Sequence, residues 1–249
     1  MKFQRMPRYL MRRHAIDILL SKIQCSNKDL LEIGYGSGDI FSLYEKYFIN
    51  IFGFDFSETA FDYALNHTKS NSVTLYKEES EMIKRKYDIV AAYEVLEHIE
   101  KDYETIKLWK SYLKPNGKML ISVPAHQSRW GASDEYVGHY RRYSKKDIIN
   151  MLEKENFSID YIYTYDFPTN LILDPIRDYG AKKKLNLLNN SLDRESLTKK
   201  SGIDRTDNKV FVKLSNEKLL APIIKFQELF YKTELGSAFI VMATNNDRN

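Results

Sequence analysis

The sequence predicts an α/β domain built on a doubly wound, mostly parallel sheet, and three observations support this fold class. The apolar run Asp29–Ile33 stops in three glycines at alternate positions and is followed by a helical pattern. A second apolar run ends in Asp55, 23 residues after Glu32, close to the offset expected of a second strand in such a fold. Further apolar runs then alternate with helical patterns toward the end of the chain.

Composition limits the functions that fit this chain. Its 249 residues allow one α/β domain with an elaboration. The net charge of +4, from 38 basic and 34 acidic side chains, lacks the strong basic excess typical of nucleic-acid-binding proteins. The single cysteine, Cys25, excludes a disulfide framework and a cysteine metal cluster. Without a signal peptide or an apolar run of about 18 residues, we expect a cytoplasmic protein with no membrane span.

The first element is an N-terminal helix, predicted over Met1–Ile23. It carries an apolar stripe with arginines around it, and Pro7 suits the first turn of a helix. Such a helix can pack on the edge of the domain or lie on a membrane surface, and we expect the packed arrangement.

The glycine turn follows the first strand and leads into a helix predicted over Asp39–Phe48. Glycine is needed where a turn is tight and a ligand approaches the backbone closely. The spacing differs from the dinucleotide fingerprint, in which the third glycine comes three residues after the second. Glu32 precedes the turn, and its carboxylate favours a ligand with an amino or sulfonium group over a pyrophosphate. The three glycines are Gly34, Gly36 and Gly38.

The second strand, Ile49–Asp55, ends in a carboxylate with two possible uses. Asp55 can bind ribose hydroxyls at the end of the strand, or it can cap the helix predicted over Glu58–Thr68. Its place after the glycine turn favours ribose. A third strand, Val73–Tyr76, leads to an acidic cluster in which Glu79 with Ser80 would receive an adenine amino group, unless the cluster is only solvated.

The fourth strand, Lys86–Ala92, precedes Tyr-Glu-Val-Leu-Glu-His-Ile. We predict a helix over Lys101–Leu113, then a turn and a fifth strand over Met119–Pro124. The turn reads Pro-Asn-Gly where Pro-Gly-Gly is usual, and Asn116 tolerates the same backbone.

Together these motifs resemble the class I S-adenosylmethionine-dependent methyltransferases, and among them the branch of the ubiquinone-biosynthesis O-methyltransferases. The resemblance covers residues 28–165. It implies a Rossmann-like seven-stranded sheet with the last strand antiparallel, and methyl transfer to a small-molecule or glycan acceptor, with oxygen as the expected atom. The cofactor contacts expected from it are Glu32, Gly34, Tyr35, Gly36, Gly38, Asp55, Phe56, Glu79, Ser80 and Tyr93.

A divalent cation is a further expectation from this resemblance. Glu94, Glu97 and His98 are spaced i, i+3 and i+4, so on a helical turn they would share one face. Such a cation would lower the pKa of an acceptor hydroxyl. In the alternative, Glu97 and His98 only open the next helix.

The segment Ala125–Tyr143 follows the fifth strand, at the end of the sheet where open α/β domains bind ligands. We predict His139 as the general base for the acceptor, with His126 as its rival. A structural His139 bonded to Asp134 or Glu135 is the other interpretation. The expected substrate contacts are Trp130, Arg141, Arg142 and Tyr143.

Beyond this segment, Ser144 caps a helix that runs to Glu155, and strand six is predicted over Ser158–Tyr165. A helical capping insertion, Pro168–Lys232, separates it from a final strand, Ala238–Thr244, expected to insert antiparallel beside strand six. Inside the insertion, two helices are predicted over Asn170–Tyr179 and Leu214–Tyr231. The polar stretch between them, Lys182–Lys209, fits either a lid or a disordered excursion.

Two other classes of function share this fold. A nicotinamide-dependent oxidoreductase is disfavoured by the glycine spacing and by the lack of a Tyr-(x)3-Lys pair. A regulatory protein that binds the cofactor without turnover remains open. Nucleic-acid methylation is weaker, because no Asn/Asp-Pro-Pro-Tyr motif follows strand four. The acceptor and the oligomeric state are not encoded in these patterns.

Overall fold

The computed structural model describes residues 6–187 and 217–247. Within them, seven strands form one sheet in the order β3-β2-β1-β4-β5-β7-β6. β7 runs antiparallel to both neighbours and the other pairs are parallel, which confirms the predicted sheet. The strands are β1 (Asp29–Ile33), β2 (Asn50–Phe54), β3 (Val73–Tyr76), β4 (Tyr87–Tyr93), β5 (Leu113–Pro124), β6 (Phe157–Tyr165) and β7 (Ala238–Asn245).

Helices alternate with the strands, as the sequence predicts. Short 3-10 turns lie at Leu96–His98, Gln127–Arg129 and Gln227–Phe230. In the described part of the chain the α-helices are α1 (Pro7–Leu20), α2 (Phe41–Tyr44), α3 (Glu58–His67), α4 (Glu79–Met82), α5 (Asp102–Ser111), α6 (Ala132–Val137), α7 (Lys145–Lys154), α8 (Asn170–Leu187) and α9 (Glu217–Phe226).

Both faces of the sheet are buried. On β1, Leu30 packs into one hydrophobic core and Leu31 into the other, because successive side chains of a strand point to opposite faces. Ile89 and Val90 divide in the same way on β4. This burial explains why the central strands are continuous apolar runs in the sequence.

The N-terminal helix α1 packs on one of these cores. Leu10, Ile16, Leu19 and Leu20 are buried, so the apolar stripe is used within the domain. Among the described residues, none of the helices combines the length and the apolar character needed to cross a bilayer.

The helix predicted over Asp39–Phe48 is much shorter than expected, since only α2 is helical and turns flank it. The aromatic rings of Phe41, Tyr44 and Phe48 are buried and contact one another in sequence. Tertiary packing of these rings overrides the weak helix preference of aromatic residues.

Two local predictions agree closely with the structure. Asn116 has φ 59°, the left-handed conformation that asparagine tolerates, and β5 extends back through this turn to Leu113. The Ser144 hydroxyl accepts a hydrogen bond from the Asp147 amide, and the Asp147 carboxylate bonds back to the Ser144 amide. This capping box starts α7.

The capping insertion contains the two predicted helices. The first, α8, continues beyond the predicted end at Tyr179 and so includes the start of the polar stretch. The second is divided into α9 and the 3-10 turn Gln227–Phe230. The lid or excursion predicted over Lys182–Lys209 falls mostly on residues 188–216, outside the described residues.

Glu32 lies in the core, immediately before the glycine turn. Its side chain is almost fully buried, and within the described residues its Oε2 atom has no hydrogen-bond partner. The Tyr44 hydroxyl, which donates to the Tyr93 hydroxyl at 3.0 Å, also interacts with this carboxyl. Burial raises the pKa of Glu32 to about 8, against the opposing effects of Tyr44 and Arg12.

We therefore expect Glu32 to make folding pH-dependent. The unfolded chain releases this proton near pH 4.5 and the folded chain near pH 8, so stability falls as pH rises between these values. Each pH unit in this window costs up to about 1.4 kcal/mol. Urea unfolding of Glu32→Gln should show a flatter pH dependence and, at pH 8, higher stability than wild type. Glu153→Gln, an exposed change in α7, is the control, and parallel curves for wild type and Glu32→Gln would contradict the prediction.

Candidate active site

The glycine turn adopts the backbone that its sequence predicts. Gly34, Gly36 and Gly38 have φ values of 75°, 57° and 69°, all in the left-handed region that favours glycine. A Cβ on Gly34 would lie 2.5 Å from a methyl carbon of Val95, so the segment after β4 passes against this turn. Any side chain here would separate the ends of β1 and β4.

Asp55 joins the glycine turn to the start of α3. Its Oδ2 accepts the Gly36 amide at 2.8 Å and its Oδ1 accepts the Ser57 amide at 2.9 Å. Burial raises the pKa of Asp55, and these two hydrogen bonds act in the opposite direction. Each oxygen keeps a further lone pair that could accept a ligand hydroxyl.

The surface beside Asp55 is aromatic and acidic. Phe56 is 64% exposed, and its ring packs edge-on against Phe54 at 4.9 Å. Glu79 and Ser80 are exposed at the start of α4, and Glu79 accepts the Tyr112 hydroxyl at 3.1 Å. The Tyr35 hydroxyl is buried under the turn and, among the described residues, makes no hydrogen bond. The exposed ring of Phe56 and the Tyr35 hydroxyl, which has no hydrogen-bond partner among the described residues, thus both lie beside the glycine turn.

Helix α1 brings two cations to the end of β4. Arg8 donates to Glu94 Oε2 at 2.8 Å. The Arg12 guanidinium lies 5.7 Å from the centre of the Tyr93 ring and 5.9 Å from that of Tyr9, within the range of cation–π contacts. Burial would raise the pKa of Glu94, but Arg8 and Arg12 hold it low, at about 2.

Glu94 therefore does not join the cation site predicted for Glu94, Glu97 and His98. That prediction assumed one helical turn, whereas Glu94 has φ 57° and the 3-10 turn begins only at Leu96. Its Oε1 accepts the Tyr165 hydroxyl at 2.9 Å, and its Oε2 pairs with Arg8. Both oxygens of Glu94 thus have protein partners, and among the described residues its carboxylate is not in the group of ligand atoms formed by Glu97, His98 and His139.

His139 takes the third place in the cluster instead. One ligand atom each of Glu97, His98 and His139 lies within 4.8 Å of the others. Glu97 is fully buried, and within the described residues neither carboxyl oxygen has a hydrogen-bond partner. Burial raises its pKa well above the ordinary value, and the Glu94 charge adds to this shift. Burial, followed by His139, lowers the pKa of His98 to about 3, so its imidazole is neutral.

The Nδ1 side of the His139 ring is bound by Asp134. Its Nδ1 lies 2.8 Å from Asp134 Oδ1, while its Nε2 lies 3.8 Å from Glu97 Oε1. Arg142 also binds Asp134, through Nε at 2.9 Å and Nη2 at 2.8 Å. Burial opposes ionisation of Asp134, but His139 and Arg142 hold its pKa low, at about 2.

The arginines and tyrosine predicted to contact substrate have partners inside the protein. Arg142 is committed to the buried Asp134. Arg141 pairs with Asp102 at 2.6 Å, and the Tyr143 hydroxyl donates to the same carboxylate at 3.1 Å. The contacts of Arg141 and Tyr143 fasten the segment after β5 to α5, and substrate contact by these three residues stays a prediction. The remaining candidate, Trp130, is half-buried at the end of a 3-10 turn.

His126 belongs to a different part of the structure from His139. Its Nε2 lies 2.7 Å from the Glu234 carbonyl oxygen, and its ring packs against Phe239. The neighbouring Arg129 donates to the Gly236 carbonyl at 2.7 Å. Both side chains tie the segment after β5 to the loop before β7. The structure therefore favours His139 over its rival.

Known proteins match the chain in sequence and in fold. A family model described as a methyltransferase domain matches residues 4–162. A ubiquinone biosynthesis O-methyltransferase of Coxiella burnetii is 26% identical over 122 residues, which are 47% of this chain and 52% of that protein. The match thus spans about half the length of this curated relative.

Two solved structures share the fold. The magnesium protoporphyrin IX methyltransferase of Synechocystis, with bound S-adenosylhomocysteine (SAH), has a TM-score of 0.52 and 17% identity, covering 64% of this chain and 78% of that one. The [4+2]-cyclase SpnF has a TM-score of 0.59 and 14% identity, covering 93% and 80%. At these identities the likeness establishes the fold and not the reaction.

The family model covers more than half of the sequence, and its match includes the glycine turn, Asp55 and the segment after β4. The sheet order agrees with the same assignment. The chain belongs to the class I S-adenosylmethionine-dependent methyltransferases.

Proposed function

We propose that this chain transfers a methyl group from S-adenosylmethionine to an oxygen of a small-molecule or glycan acceptor. The observation that carries the proposal is the convergence of the left-handed glycine turn, the Asp55 carboxylate and the Glu97–His139 cluster at one edge of the sheet. The O-methyltransferase relative supports oxygen as the acceptor atom.

The cofactor would lie across the ends of β1, β2 and β4. Asp55 would accept its ribose hydroxyls, and the exposed ring of Phe56 would pack on its adenine beside Glu79 and Ser80. The guanidinium of Arg12, which lies over the rings of Tyr93 and Tyr9, suits its carboxylate. The methionine part would be held by Glu32, Gly34, Tyr35, Gly36, Gly38 and Tyr93.

S-adenosylmethionine supplies an electrophilic methyl group on a sulfonium. The protein has to align the acceptor oxygen with this methyl group, which removes much of the entropic barrier. His139 Nε2 would take the hydroxyl proton as the new C–O bond forms. The electron pair of the broken C–S bond stays on sulfur, so the second product is a neutral thioether.

The same cluster also fits a divalent cation. Glu97 provides a buried carboxyl group with no partner among the described residues, and His98 provides a neutral imidazole. With His139 these groups supply the nitrogen and oxygen ligands that zinc and similar ions use. A cation here would lower the pKa of an acceptor hydroxyl. His139 would then be a ligand instead of the base, and chelation distinguishes the two arrangements.

Asp55→Ala should weaken S-adenosylmethionine binding by about 1–3 kcal/mol, because it leaves ribose hydroxyls unpaired in a closed site. Isothermal titration gives the dissociation constant, and urea unfolding verifies that the variant is folded. Asp62→Ala, on the exposed face of α3, should bind like wild type. Equal affinity of Asp55→Ala and wild type would remove the ribose assignment.

His139→Ala should reduce methyl transfer by about 10²–10⁴-fold, the usual cost of losing a general base. Cofactor affinity should stay within about twofold of wild type, since the imidazole acts on the acceptor. His126→Ala, assayed in parallel over a panel of sugars, quinols and phenols, should retain its activity. If His139→Ala turns over within about threefold of wild type, the base is another group.

Exhaustive chelation tests the cation. If Glu97, His98 and His139 hold one, chelated protein should lose activity and recover it on adding back a single divalent ion, and Glu97→Gln should lower that ion's affinity at least about tenfold. Metal content measured on wild type and Glu97→Gln is a readout independent of turnover. Full activity after chelation, together with an active Glu97→Gln, would leave His139 free to act as the base.

A further inference from the structure

We propose that Asp134 is the positioning residue of this site: it fixes the ring orientation and the tautomer of His139, so that the unprotonated Nε2 faces the Glu97 side. The catalytic purpose of this arrangement rests on the proposed function. The geometry of Asp134 and His139 does not depend on that function. Sequence reasoning treated Asp134 only as the partner of a structural histidine.

The carboxylate of Asp134 is saturated by donors. Oδ1 faces His139 Nδ1 at 2.8 Å, and Oδ2 accepts the Gly131 amide at 3.0 Å. Arg142 adds two N–H groups, from Nε at 2.9 Å and Nη2 at 2.8 Å. With 1% exposure and a guanidinium bound to it, Asp134 is an acceptor only. The hydrogen of the neutral imidazole must therefore be on Nδ1, which leaves the lone pair on Nε2.

The backbone sets the distance between the two residues. The His139 amide donates to the Asp134 carbonyl at 3.0 Å, and Gly138, at φ 79°, closes helix α6 directly before His139. Asp178 of α8 accepts the Ser133 amide at 2.9 Å and so holds the start of α6. The five-residue spacing of Asp134 and His139 is thus fixed by the left-handed cap that ends α6, and the start of α6 is anchored by the capping insertion.

The backbone that follows His139 is fixed as well. The Tyr140 amide donates to the Glu97 carbonyl at 2.8 Å, which ties the chain next to His139 to the 3-10 turn after β4. His139 Nε2 and Glu97 Oε1 remain 3.8 Å apart, too far for a hydrogen bond. Nε2 is therefore held in place without a hydrogen bond to Glu97. An atom that takes a proton or binds a ligand must be positioned in this way.

Proton transfer then needs no second carrier. The acceptor O–H bond breaks and its proton goes to Nε2, while the hydrogen on Nδ1 stays on His139 and remains hydrogen-bonded to the Asp134 carboxylate beside the new imidazolium charge. The acceptor oxygen forms the bond to carbon, and the C–S electron pair remains on sulfur. In this arrangement Asp134 contacts His139 and not the reacting atoms, so its effect on proton transfer passes through His139.

Histidine-selective ¹⁵N NMR tests the proposal directly. The chain has five histidines, and His139→Gln assigns the signal of interest by its loss. In alkaline buffer, where imidazoles are neutral, wild-type His139 should show a protonated Nδ1 and a bare Nε2. A protonated Nε2 in wild type would overturn the proposal, and this result needs neither activity nor a substituted Asp134.

Asp134→Asn then tests the consequence. An amide can donate to Nδ1, so we expect His139 to shift to the other tautomer and kcat to fall by at least about 10²-fold, with cofactor affinity within about twofold of wild type. Asp102→Asn is the matched control: Asp102 also binds an arginine and an aromatic side chain, and this change should leave the His139 tautomer unaltered.

A folded Asp134→Asn with the wild-type tautomer and wild-type kcat would contradict the proposal. If Asp134→Asn does not fold, the wild-type tautomer still decides. Wild-type protein that binds cofactor but transfers no methyl group would contradict the proposed function. The tautomer measurement would still test the role of Asp134, because it needs no activity.

Discussion

The parallel pairing of β1 with β2 and β4 is the constraint on which the site depends. In this register Ile33 lies beside Phe54 on one side and beside Ala92 on the other. The three strands therefore end at one level, and the residues that follow them meet there. The Gly34 amide donates to the Phe54 carbonyl at 2.8 Å, so the glycine turn extends the pairing by one more bond. A shift of one residue in this register would turn every side chain of the shifted strand to the other face.

Charge burial is the second constraint at this edge. Glu94 is stable as an anion because Arg8, Tyr165 and Ser122 all donate to it. Glu97, three residues on, is fully buried, whereas the Glu94 side chain is 20% exposed, and Glu97 has no such donors among the described residues. Two carboxyl groups in one pocket thus have opposite pKa shifts, a difference typical of functional sites. Removing Arg8 would leave the Glu94 carboxylate without its ion-pair partner. The N-terminal helix therefore stabilises the charge of Glu94 and does not only cover the sheet.

Sequence reasoning succeeded where the determining contacts are local. The tight turn at Gly34, the turn at Asn116 and the cap at Ser144 depend mainly on neighbours within a few residues, and all three were predicted. It failed where the partner is distant. Glu94 is bound by Arg8, 86 residues away, and Arg141 by Asp102, and neither ion pair was predicted from the spacing of these residues. The positioning role of Asp134 was missed for a related reason. It depends on the donors from Gly131, His139 and Arg142 that meet at its carboxylate in the folded chain.

Helix α1 and the elements that follow β6 are joined into one cover. Gln227 donates through its amide nitrogen to the Met11 carbonyl at 3.1 Å, and its amide oxygen accepts the Asp166 amide at 3.2 Å. The buried Asp166 carboxyl accepts the Ser237 hydroxyl in turn. Helix α1, the end of β6, the 3-10 turn after α9 and the start of β7 are thus locked together by buried hydrogen bonds, which are costly to break singly. Because Arg8 comes from this cover and the helix before His139 is anchored through α8, the geometry around Glu94 and His139 depends on elements that a minimal cofactor-binding sheet does not need.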